Sequence, residues 1–164
     1  MNYNSRSAFR SLGLIQQIFL VWQLVQVKLF HKRPKSRVFS EFSYLSNLFS
    51  DNITLVKTKT KSVLVAYTLN GIAQQIWLRK GSSDFKVFQS VILNHEYKSA
   101  TKCVNDNPEF FIVDAGANIG TTLLYFKAFY PNATIIAIEP DKNNFRQLKL
   151  NIEQNKLENI KVLQ

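Results

Sequence analysis

At 164 residues the chain can bury one core, and its 46% hydrophobic content is ordinary for a globular domain. The lone cysteine, Cys103, excludes an internal disulfide and fits a reducing, cytoplasmic compartment; no Cys/His cluster has metal-ligand spacing, and His31 and His95 stand alone. The net charge of +10 is uneven: residues 1–40 hold seven basic side chains and no acid, residues 41–110 eight against six, and residues 111–164 six against five. A nucleic-acid footprint normally occupies a folded face or motif, so no nucleic-acid partner is expected, and the basic arm suits an anionic surface such as the cytoplasmic leaflet.

In chain order, Leu12 to about Phe30 reads as one apolar helix. Ser11 to Val27 carries no charge, but it includes Gln16, Gln17, Gln23 and Gln26, and a spanning helix takes about 20 mostly apolar residues. No small-residue cleavage site follows, which argues against a cleaved signal peptide. Three readings stay open: packing on the rest of the protein or on a second copy, lying on a membrane, or spanning one. Residues 31–41, with Pro34, read as a basic linker. Ile53–Lys57, Ser62–Leu69 and Gln74–Arg79 alternate like strands, and Asn70-Gly71 is a strong hairpin turn. Ser83 is placed to cap a helix over about Asp84–Asn94, whose Phe85, Phe88, Val91 and Ile92 share a face. Pro108 precedes a strand at Phe110–Val113, and a helix then starts at about Ile119 and ends near Pro131. Thr134–Ile138 is a second apolar strand, Asp141 caps a further helix, and Ile160–Leu163 is a third strand. Three segments follow: a basic arm with an apolar helix (1–41), a β-hairpin and helix region (42–107), and a parallel-strand unit (108–164).

The chemistry concentrates where the first parallel strand breaks. Asp114 ends that strand, and Gly116 and Gly120 permit a sharp turn with close ligand approach. Glu139, at the end of the next strand, can accept two hydrogen bonds from ribose hydroxyls. A dinucleotide fingerprint needs G-x-G-x-x-G, but Asn118 and Thr121 occupy the second and third glycine positions. The spacing is Asp-x-Gly-x-x-x-Gly, and an acid beside the turn repels a pyrophosphate and attracts a cation. S-adenosyl-L-methionine, a sulfonium with an amino group and no phosphate, matches that turn. The plainer alternative is a strand-turn-helix whose glycines only close the turn.

The motifs Val113-Asp114-Ala115-Gly116-Ala117-Asn118-Ile119-Gly120 and Ile136-Ala137-Ile138-Glu139-Pro140 resemble the first two motifs of the FkbM-type S-adenosylmethionine-dependent methyltransferases. The stretch Ile76–Asp84, with Val87-Phe88 and Glu96-Tyr97, is also similar to that family, and the resemblance covers about residues 74–164. It implies a Rossmann-like class I methyltransferase α/β sheet. Asp114, Gly116, Asn118 and Gly120 would line the methionine side of the cofactor, and Glu139 would hold the ribose. It also implies methylation of a hydroxyl on a small-molecule or glycan acceptor such as a sugar, polysaccharide or polyketide. Such a sheet has seven strands with the first central. Only three are expected here, so the chain reads as an N-terminal fragment whose first strand is left as an apolar edge. A self-sufficient small domain is the competing expectation.

A hydroxyl acceptor needs a general base, and the catalytic residue is left unassigned. Asp84 is the one acid that invites that role, against the plainer role of an acid favoured in a helix's first turn. Arg79 reads as a substrate-holding or simply exposed strand-end arginine, and Lys57, Lys59 and Lys61 as a solvated face. Rival functions are a nicotinamide or nucleotide-sugar enzyme, disfavoured by the failed glycine spacing, and a non-catalytic interaction protein completed by a partner chain.

Overall fold

The computed structural model describes residues 3–30, 36–48, 52–102 and 110–164. Three helices come first: α1 (Tyr3–Ser11), α2 (Leu14–Phe30) and α3 (Arg37–Leu48). The helix expected from Leu12 to about Phe30 is α2, starting two residues later, and α1 precedes it unexpected; the two part at Gly13, where Gln16 Oε1 accepts the Gly13 N–H at 3.0 Å. Gln17 bridges the break by donating to the carbonyls of Phe9 and Leu12. The expected linker is corrected from Arg37 onward. Ser36 Oγ accepts the Phe39 N–H at the start of α3, an N-cap interaction, and α3 buries Leu45 with Phe42 packed alongside. His31, Pro34, Cys103 and Pro108 lie outside the described residues.

The strands β1 (Ile53–Thr58), β2 (Ser62–Leu69) and β3 (Ile72–Arg79) form an antiparallel sheet in that order. Asn70 and Gly71 have φ of 49° and 77°, as a two-residue type I′ turn requires. The pairing from Ser62↔Arg79 to Leu69↔Ile72 is unbroken. Helix α4 (Asp84–Phe88) runs on as a π-type turn over Gln89–Leu93. The expected Ser83 cap is corrected by one residue: Ser83 makes no capping bond, and Ser82 Oγ accepts the Asp84 N–H at 3.2 Å.

The parallel unit contains β4 (Phe111–Ala115), α5 (Thr121–Phe129), β5 (Thr134–Ile138), α6 (Lys142–Gln154) and β6 (Ile160–Leu163). Its order is β4-β5-β6, all parallel. Asp141 caps α6 by accepting the N–H groups of Asn143 and Asn144, as its position predicts. Ile112, Ile135, Ala137, Ile160 and Val162 pack against Leu123 of α5 and Leu148 and Ile152 of α6. The other face leaves Phe111, Val113 and Leu163 exposed, and β4 has no strand on its outer side among the described residues. Parallel sheets normally have both faces covered.

The two sheets are joined through polar side chains of α6. Strand β3 is an edge, so the N–H and C=O groups of Gln75 and Trp77 face away from β2 and need partners. Asn155 accepts from Gln75 N at 2.8 Å and donates back to its carbonyl at 2.6 Å. One turn earlier, Asn151 accepts from Trp77 N at 2.8 Å, while Gln147 donates to the Trp77 carbonyl at 3.0 Å. Residues 147, 151 and 155 recur every four positions and share one helix face, so a row of amide side chains substitutes for a missing strand. Asn70 and Gln74 fasten the hairpin to α5 through the carbonyls of Ala128 and Leu124. One apolar core joins all three segments, from Ala8 and Leu45 through Val65, Ile76 and Phe88 to Ile119 and Tyr125.

Candidate cofactor site at the glycine turn

The turn after β4 is built from left-handed residues. Gly116, Asn118 and Gly120 have φ of 88°, 50° and 89°. The N–H groups of Gly116 and Ala117 both donate to the Ile138 carbonyl, at 2.8 and 2.9 Å, which ties the turn to the end of β5. Glu139 completes the tie. Its carboxylate accepts the Asn118 N–H at 2.7 Å and the Asp141 N–H at 2.8 Å. Both oxygens of this buried side chain therefore already serve the backbone, and each keeps one further lone pair for a ligand.

The glycines differ in their surroundings. A Cβ on Gly116 would meet nothing within 4 Å, so the turn borders open space there. A Cβ on Gly120 would stand 2.8 Å from Leu148 Cδ1, so that glycine makes room for α6. Gly120→Ala is expected to cost about 2–4 kcal/mol, from the left-handed backbone and overpacking at fully buried Leu148. Gly116→Ala should lose only the backbone part, about 1–2 kcal/mol. Urea denaturation of both variants measures the difference, and equal losses would contradict the packing role.

Asp114 lies partly buried on the α5/α6 side of β4, with Oδ2 inaccessible and unpartnered. Burial first, and the nearby Glu139 charge second, raise its pKa from 3.8 to about 6. An unpaired acid in such a place is stabilised by a cation. Beside the turn runs a cleft of about 450 Å³, bordered by Gly116, Ala117 and Asn118 on one side and by Lys86, Ser90 and Tyr97 on the other. Thr121 also lines it, and its buried hydroxyl has no partner. Asp114, Gly120 and Glu139 do not line the cleft; they meet the turn from the strand ends and from behind. The wall from α4 and the π-type turn had only a faint sequence signal, the amphipathic spacing of residues 84–94. A larger cleft of about 530 Å³, lined in part by Thr54, Thr68, Gln75 and Lys156, shares no residue with the turn.

Two sequence-based assignments nearby change. Arg79 is not a free strand-end cation, and Asp84 is not a free acid. They form a salt bridge of 2.8 Å in which Asp84 is fully buried. Among the described residues no group of three or more His, Cys, Asp or Glu side chains could hold a metal.

No family model matches the chain. It is 37% identical over 81 residues to Methyltransferase 1 of Beauveria bassiana, covering 44% of this chain and 32% of that protein. It is 40% identical over 79 residues to Methyltransferase sdnD of Sordaria araneosa, covering 48% of this chain and 29% of that protein. The chain thus spans about a third of the length of the curated relatives it matches. Among solved structures, M. jannaschii TYW2 in complex with AdoMet shares 19% identity, with a TM-score of 0.42, over 70% of this chain and 48% of that one.

Proposed function

We propose that this chain carries the cofactor-binding part of an S-adenosyl-L-methionine-dependent methyltransferase. The observation that supports it most is the partly buried Asp114 carboxylate, whose inaccessible Oδ2 is unpartnered, beside a left-handed glycine turn that borders open space. That pairing favours a ligand that is cationic and lacks phosphate. The similarity to two methyltransferases over about half of the chain supports the same class.

In this reading Asp114 holds the positive charge of the methionine end. Gly116 and Asn118 shape the bed beneath it, and the spare lone pairs of Glu139 take the ribose hydroxyls. Thr121 offers its unpartnered hydroxyl to the ligand from the cleft beside the turn, and Gly120 acts at one remove by fixing the turn on α6. When bound, the cofactor supplies a methyl group activated by its sulfonium. The residues of this chain position that group, and alignment with an acceptor lone pair accounts for much of such catalysis. The acceptor we propose is a hydroxyl of a sugar, polysaccharide or polyketide-like molecule and not a nucleic acid. This finer assignment rests on the FkbM-type motifs and on the near-balanced charge of residues 111–164. Asp84 is not proposed as the base, because it is fully buried and held in the ion pair with Arg79.

Calorimetry with S-adenosyl-L-methionine, paired with melts of Asp114→Asn, tests the assignment. The raised pKa means that the native state binds more protons than the unfolded state between pH 3.8 and about 6. This group's contribution to stability therefore falls as pH rises through that window. Discounted for partial solvent screening, the loss is about 1–2 kcal/mol above pH 6. Asp114→Asn should remove it, raising Tm at pH 7 by about 2–4 °C per kcal/mol while weakening cofactor binding at least about tenfold. A variant that is more stable yet binds the cofactor as well as the parent would refute the role given to Asp114. A folded parent that binds none would refute the cofactor.

A further inference from the structure

Helix α2 is turned the unusual way round. Its protein-facing side buries Leu20 and the polar Gln23, whose side-chain oxygen accepts a hydrogen bond from Ser36 at 2.6 Å. Its outer side exposes Ile15, Ile18, Trp22 and Val25, residues three and four apart that make one continuous stripe. Phe19 adds to it by stacking on Trp22 at 5.8 Å between ring centroids. A stripe of this size is more than scattered surface hydrophobicity and marks a binding face.

The surrounding charge selects what covers it. Arg6, Arg10 and Lys28 are exposed on α1 and α2, and residues 1–40 contain seven basic side chains and no acid. A second copy of the chain would bring two such basic arms together. A surface of anionic headgroups would pair with each. The helix has 17 residues, and no described helix is long and apolar enough to cross a membrane. With exposed cations on α1 and in the last turn of α2, an apolar stripe on a helix too short to span belongs in the plane of the interface. We infer that α2 docks flat on an anionic lipid bilayer, with Ile15, Ile18, Trp22 and Val25 among the acyl chains and Arg6, Arg10 and Lys28 at the headgroups. This inference does not depend on the proposed cofactor.

The chain carries its own reporter, because its other tryptophan, Trp77, is buried. The full chain is titrated with vesicles of phosphatidylcholine, alone or mixed with phosphatidylserine, and tryptophan emission is followed. The expected result is a blue shift with the anionic vesicles that is absent from Trp22→Phe and weakened by added salt. Each cation near such a surface contributes about fivefold, so the triple variant Arg6→Gln, Arg10→Gln, Lys28→Gln should bind on the order of a hundredfold more weakly. Ile18→Asp should abolish insertion; if that variant unfolds, the triple variant, which leaves the apolar stripe intact, still gives the answer. No shift with anionic vesicles overturns the inference, as does a shift unaffected by the triple variant. Self-association relieved by Ile18→Asp, without vesicle binding, also overturns it and assigns the stripe to a second copy.

Discussion

Asp84→Ala is expected to destabilise the protein by about 3–5 kcal/mol, the range for removing one partner of a buried ion pair. Asp84 is fully buried, and Arg79 gives its carboxylate three hydrogen bonds. Its Oδ2 accepts the Arg79 backbone N–H and Nε, both at 2.8 Å, and its Oδ1 accepts Nη2 at 2.8 Å. Nη2 also donates to Asn144 of α6 at 2.8 Å. The cluster thus links the end of β3, the start of α4 and the first turn of α6, next to the wall of the proposed cofactor cleft. Alanine would leave the guanidinium without its counter-charge, holding only Asn144, and an edge-strand N–H without a partner. Thermal and urea denaturation provide the check, with Tm falling about 2–4 °C for each kcal/mol. A loss below about 1 kcal/mol would place the pair with solvent-exposed bridges, which contribute little. Replacing both partners, as in Arg79→Met with Asp84→Leu, should be milder than Asp84→Ala because no charge is left unpaired.

Glu139→Ala should act on stability and on ligand binding together. Two hydrogen bonds to a carboxylate, each contributing about 1.5–3 kcal/mol, put the expected loss near 3–6 kcal/mol. The glycine turn would lose its tie at Asn118, and α6 its tie at Asp141. Hydrogen exchange at the Asn118 amide should accelerate in step with the loss of stability. Glu139→Gln separates the two effects. It keeps one acceptor oxygen for the backbone, turns a donor toward the other N–H, and removes the charge that would grip ribose hydroxyls. It also removes the second of the two influences on Asp114, whose pKa should drop part of the way from about 6 toward 3.8, with burial still holding it up. A Glu139→Gln chain with unchanged cofactor affinity would show that the residue is structural and that the ribose is held elsewhere.

The elements read correctly from sequence are those whose cause is local. The strands Ser62–Leu69, Thr134–Ile138 and Ile160–Leu163 have the expected limits, because alternation and apolar runs bounded by turn residues suffice to define them. Asn70-Gly71 specified the hairpin, and Asp141 specified the start of α6, through contacts within four residues. Gly116 and Gly120 were legible because the turn holds them at positive φ, which glycine adopts most readily. Helix α1, by contrast, is only nine residues long and mostly polar, and the opening of α3 was hidden inside a charge-rich stretch.

What the sequence by itself determined is the order of the elements, the strand ends where the acids sit, and the left-handed turn between them. Only the tertiary structure decided how those parts meet. Arg79 read as a substrate-holding or exposed strand-end cation and Asp84 as a base candidate or a first-turn acid until the chain closed them into one pair with Asp84 fully buried. Asn151 and Asn155 become strand partners only where β3 presents unpaired N–H groups at their spacing. Helix α2 is apolar on most sides, so hydropathy alone could not say which side faces out. That was settled by Gln23, whose bond to Ser36 turns a polar residue inward and leaves the aromatic stripe to the outside. In each case the deciding interaction joins groups that local preference treats as independent, and it acts only once packing has removed the water that would otherwise satisfy them.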